Sequence, residues 1–109
     1  MNKVLTDNEL IVCIINDGFS DVVMSAAKSA GARGGTIFHG KGTGNKDLEK
    51  FFGISITPEK EVVFILTSSQ QKDEIVSAIY KEAGLDTRGQ GIIFTLPVDD
   101  FVGPSVENK

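Results

Sequence analysis

Two short apolar runs, Leu10-Ile11-Val12-Cys13-Ile14-Ile15 and Val62-Val63-Phe64-Ile65-Leu66, constrain this chain most, because each is followed by a helical pattern that ends at a glycine. An unbroken run of β-prone residues suits a strand covered on both faces, so the spacing predicts central strands over 10–15 and 61–67. After the first run, Val22, Val23, Ala26, Ala27 and Ala30 recur at helical spacing, with Ser20 as the N-cap and Gly31 as the stop. After the second, Ile75, Val76, Ala78, Ile79 and Ala83 form one stripe within a helix expected over 72–83, ended by Gly84. Shorter β-prone stretches at 36–39 and 92–96, the latter stopped by Pro97, complete the order βαββαβ. That order predicts a ferredoxin-like α+β fold, an antiparallel sheet with two helices on one face. The opposite face is left bare, and a second copy of the chain is its natural cover.

The 109 residues suffice for a single domain, spanning 1–109, and the 40% hydrophobic and 24% charged content is that of an ordinary globular protein. Residues 1–9 read as an N-terminal extension, 45–60 as a long loop and 101–109 as a C-terminal tail. No apolar run approaches the ~20 residues of a membrane-spanning helix, and the first nine residues lack the apolar stretch of a secretory signal. A cytoplasmic protein without direct membrane insertion is therefore expected. A net charge of -4 with scattered Lys and Arg supplies no basic stripe for nucleic acid. Cys13 is the sole cysteine and lies within the first apolar run, so it is expected to be a buried, inert thiol.

Three loops remain for chemistry. Gly40-Lys41-Gly42-Thr43-Gly44 offers unobstructed backbone N–H groups, a cation and a hydroxyl, which suits a phosphate or equally a flexible turn. It matches neither the P-loop spacing nor a dinucleotide fingerprint. Asp86-Thr87-Arg88-Gly89-Gln90-Gly91 repeats the theme, and two such loops in one small domain point to a shared ligand, met across a subunit boundary. The long loop carries Phe51 and Phe52, which either fold back on the core or dock a partner. Catalytic machinery is thin. His39 is the only histidine, no Ser/His/Asp or Cys/His set can be assembled, and no run has metal-ligand spacing, so neither catalytic nor metal residues are expected. Asp99-Asp100, adjacent on an extended segment, point to opposite sides and read as solvated carboxylates.

These pieces together resemble the PII signal-transduction family over residues 10–100. Gly31-x-x-Gly34-x-Thr36 resembles the end of its first helix and start of its second strand, and Gly42-x-Gly44 the start of its T-loop. Gly89-Gln90-Gly91-Ile92-Ile93-Phe94-Thr95-Leu96-Pro97-Val98-Asp99-Asp100 resembles its B-loop and last strand. The resemblance implies a homotrimer that binds an adenine nucleotide between subunits, without any required cofactor, and regulates a partner through the T-loop. That partner would be a membrane transporter or a nitrogen-metabolism enzyme. Carried over by position, Ile14, Thr36, Gly42 and Leu66 would lie near base and sugar, and Gly89 and Gly91 would offer phosphates backbone donors. The family's basic positions fall on Asn45, Ile92, Gly103 and Ser105, which points to a ligand with fewer phosphates than ATP. Lys41, Lys46 and Arg88 would substitute in part, and Thr43 and Gly44 would join Gly42 in lining the ligand. The alternatives are a ligand-independent adaptor docking through Phe51 and Phe52 and, more remotely, an enzyme using His39.

Overall fold

The computed structural model describes residues 3–5, 7–43, 59–87 and 90–103. Its elements run β1 (Lys3–Leu5), β2 (Asn8–Asn16), α1 (Ser20–Ser29), β3 (Thr36–Lys41), β4 (Glu59–Ser68), α2 (Ser69–Glu82), β5 (Gly91–Val98) and β6 (Phe101–Gly103). Strands β2 to β5 form a four-stranded sheet in the order β3-β4-β2-β5, antiparallel throughout. The expected βαββαβ core is thus observed, with the two apolar runs side by side at its centre.

Odd-numbered positions of the central strands face the helices. Ile11, Cys13, Ile15, Val63 and Ile65 pack with Val23, Ala26 and Ala27 of α1 and with Ile75 and Ile79 of α2, all essentially removed from water. Small side chains on α1 let that helix lie close to α2 and the sheet. Burial pushes the Cys13 thiol up to about 11, which makes it the inert core residue expected.

The boundaries differ from the sequence expectation in several places. Strand β4 reaches back to Glu59, so Glu59 and Lys60 belong to it and not to the loop expected over 45–60, and β3 runs on through Gly40 and Lys41, because both extensions pair with each other, Gly40 opposite Lys60 and Lys41 opposite Glu59. Ser20 is not the N-cap of α1; Phe19 holds that position without a side-chain cap, and Glu61 from β4 takes over the task. Helix α2 begins three residues early because Ser68 caps it, accepting from the Gln71 N–H at 3.3 Å. Pro97 lies inside β5 rather than ending it, since β5 is an edge strand and one side of its backbone needs no donor. In addition, β1 and β6 pair antiparallel, Leu5 opposite Phe101. With Asn8 opposite Val98, this short ladder keeps the register of β2 with β5, so extension and tail prolong the sheet as a two-stranded arm.

Even-numbered positions form the other face, which no element among the described residues covers. Leu10, Leu66 and Leu96 make one row across it, and Val12, Phe64, Phe94 and Thr36 the next. Ile14, Val62, Ile92 and Phe38 make a third. Phe38 meets Phe64 edge to face at 5.0 Å, yet Phe38, Phe64, Ile92, Phe94 and Leu96 all remain exposed. A contiguous apolar face of this kind marks an interaction surface.

Candidate functional site

The fourth row of that face is polar. Asn16 stands opposite Lys60, which in turn stands opposite Gly40, and Gln90 precedes β5 at the far edge. Lys60 Nζ donates to Asn16 Oδ1 at 2.6 Å, and Asn16 Nδ2 donates to Gln90 Oε1 at 3.1 Å. The apolar face therefore ends in a hydrogen-bonded strip that crosses β4, β2 and the start of β5. Gly42 sits directly over the Lys60 stem, where an added Cβ would meet Lys60 Cε at 2.9 Å. The Lys60 ammonium rests on a neutral amide, and among the described residues no carboxylate pairs with it.

On the helix side of the same end, Glu61 is buried and tied to the β2–α1 turn. Its Oε1 accepts from the Gly18 N–H at 2.7 Å and the Ser20 N–H at 3.1 Å, while Oε2 accepts from the Ser20 hydroxyl at 2.9 Å. The Ser20 N–H is a donor that the first turn of α1 leaves unpaired, and the carboxylate also meets the positive end of the helix dipole. Burial works to raise the Glu61 carboxyl, but the Ser20 hydroxyl, the Ser20 and Gly18 amides and the charge of His39 outweigh it and hold the group below its ordinary value. His39 is the cross-strand partner of Glu61, and its Nδ1 lies 3.6 Å from Asp17 Oδ1.

The residues singled out in the sequence are distributed over this frame. Ile14, Thr36 and Leu66 share the uncovered face, but Ile14 and Leu66 are four residues apart along paired strands, roughly 14 Å. Gly42 and Gly91 lie at the same end of the sheet and at opposite edges, with β4 and β2 between them, roughly 14 Å across. Within one chain, Gly42 and Gly91 are too far apart to donate to the same phosphate. Gly91 is itself held by close approach: with φ +155, a Cβ there would come within 2.3 Å of the Ile14 carbonyl oxygen. Lys41 and Thr43 are exposed at the edge. Gly44, Lys46, Phe51, Phe52, Arg88 and Gly89, with the rest of the loop over 45–58, lie outside the described residues. Asn16, Lys60, Gln90 and Glu61 escaped the sequence reading; the usable signal was Glu61, an acid at a helix-facing position of an apolar strand.

The family model for nitrogen regulatory protein P-II matches residues 8–104, all but the two ends of the chain. The chain belongs to the PII family. Members of this family are signal-transduction regulators rather than enzymes, so His39 is to be understood as part of a regulator. Many solved structures share the PII fold. Among them is the PII protein of Arabidopsis thaliana, whose crystal structure is described as bound to citrate; it matches with a TM-score of 0.69 and 23% identity, covering 86% of this chain and 79% of that one. No match is found among the curated proteins. Among the described residues, no helix of this PII protein is long and apolar enough to cross a membrane.

Proposed function

We propose that this PII protein works in the cytoplasm as a homotrimer whose subunits clasp an adenine nucleotide, with AMP or ADP favoured over ATP, and signal its presence to a partner protein through residues 45–60. The observation that carries this reading is the placement of Gly42 and Gly91 at opposite edges of one sheet end, flanking the polar strip at the rim of an uncovered apolar face. Stacking that face against sister chains removes Phe64, Phe94, Ile92 and Leu96 from water and sets the Gly42 edge of one chain beside the Gly91 edge of another. Lys60 and Lys41 supply the cations, and Ile14 an apolar neighbour for a base. Ile92, exposed at the position of a family lysine, lowers the charge available to a third phosphate.

Two measurements test this. Light scattering on a sizing column should give three times the chain mass, reduced to one by Phe94→Asp; a folded monomer for the parent chain refutes the assembly. Calorimetry should show AMP or ADP binding at least about tenfold tighter than ATP, weakened by Lys60→Ala by a similar factor. The exposed Ile92 also favours a second reading, a ligand-independent adaptor. An intact trimer that binds no nucleotide at millimolar concentration, yet loses its partner on Phe51→Ala and Phe52→Ala, would select it. A transporter or a nitrogen-metabolism enzyme is the partner class for the pull-down.

A further inference from the structure

We propose that Asp17, His39 and Glu61 bind one first-row divalent cation of the zinc class on the helix side of the sheet, apart from the nucleotide site. Each residue offers one ligand atom, and these atoms lie within 4.8 Å of one another. The three come from the β2–α1 turn, β3 and β4, which is why no local spacing in the sequence announces them. The donor set is one imidazole nitrogen and two carboxylate oxygens. Hard Mg²⁺ and Ca²⁺ prefer oxygen alone, whereas an imidazole favours Zn²⁺ and its neighbours.

The geometry is closer to shared coordination than to direct bonding. His39 Nδ1 and Asp17 Oδ1 are 3.6 Å apart, beyond an ordinary N–H···O hydrogen bond. Two ligands at zinc-bond lengths on a tetrahedral ion are separated by about 3.4 Å. The third corner, within 4.8 Å of the other two, needs at most about 1.4 Å of closure, which rotation of Asp17 and His39 can supply because both side chains are more than half exposed. Glu61 needs no rotation. Three hydrogen bonds from Gly18 and Ser20 fix its carboxylate, as outer partners fix the ligands of metal sites. They occupy both lone pairs of Oε1 and one of Oε2, so Oε2 keeps one for the ion. The same carboxylate stands between the site and the positive end of α1, and two carboxylates match the charge of a divalent cation. Three protein ligands leave a fourth position for water. A bound ion would tie the ends of β3 and β4 to the β2–α1 turn, at the foot of the segment that joins those two strands.

The test is calorimetry of the untagged full chain, stripped with a chelator, buffer-exchanged and titrated with zinc chloride at about pH 7.5. One ion per chain is expected, with His39→Ala and Asp17→Asn each weakening affinity at least about tenfold. Asp99→Asn and Asp100→Asn, carboxylates elsewhere on the surface, should leave it unchanged. As a second measurement, the cobalt-loaded parent should show the visible bands of tetrahedral coordination, lost in His39→Ala. Circular dichroism of both ligand variants should match the parent, since neither side chain is buried. No zinc heat at millimolar metal, or binding unaltered in either variant, overturns the site whether or not nucleotides bind.

Discussion

Replacing Glu61 tests the packing of the functional end most directly. In Glu61→Ala, the Ser20 N–H and hydroxyl lose their acceptor in a buried setting, while Gly18, partly exposed, can turn to water. Hydrogen bonds to a charged group contribute about 1.5–3 kcal/mol each, so two buried ones lost, with some relaxation, amount to about 3 kcal/mol. At about 4 °C per kcal/mol for a domain of this size, the melting temperature should fall by about 12 °C. Glu61→Gln keeps an oxygen for the amides and loses only the charge, so it should cost about 1 kcal/mol. The assay is thermal unfolding by circular dichroism at fixed chain concentration with chelator present, so that neither assembly nor metal contributes to the difference. The pH dependence has a defined sign. Because the native carboxyl titrates below its unfolded value, the unfolded chain binds more protons in the acid range, and the stabilisation is complete above the ordinary carboxylate value and lost as pH falls through the native one. The gap between the parent and Glu61→Gln should therefore close on acidification. A Glu61→Ala protein melting within about 2 °C of the parent at neutral pH would refute the capping argument.

Three further outcomes follow from the packing. Gly91→Ala should cost about 3 kcal/mol or more, seen as a large drop in denaturant midpoint, because the backbone is at positive φ and the new methyl meets the Ile14 carbonyl. Gly34→Ala meets open space and should stay within about 0.5 kcal/mol of the parent, whereas Gly35→Ala crowds Met24, the Phe64 carbonyl and Ile65 and should cost about 1–2 kcal/mol. Cys13 should resist a thiol reagent at pH 8, where only about 0.1% is thiolate, and react at once in denaturant; rapid labelling of the native protein would contradict its burial.

The central strands, both helices and the glycine stops were legible because local periodicity and punctuation dictate them. Gly31 and Gly84 do adopt positive φ, where helix stops were expected. Contacts between distant segments were not legible. Glu61 caps a helix 41 residues away, and nothing beside it in the chain marks that partner. Lys60, Asn16 and Gln90 meet only because the sheet order sets their strand ends in a row. Pro97 misled because a proline halts an interior strand but not an outer one, and edge position is a property of topology. The pairing of β1 with β6 escaped for a similar reason: three-residue strands carry too little pattern to announce themselves.

Pro97 also bears on how these molecules avoid uncontrolled association. An outer strand normally offers a free row of amide donors to any passing extended chain, the starting point of ribbon growth and fibril formation. At position 97 that row has a gap, since proline carries no N–H, and an incoming strand would find an orphaned carbonyl of its own opposite the ring. Growth sideways is thus discouraged on β5 by a single residue, while the broad apolar surface of the sheet is untouched.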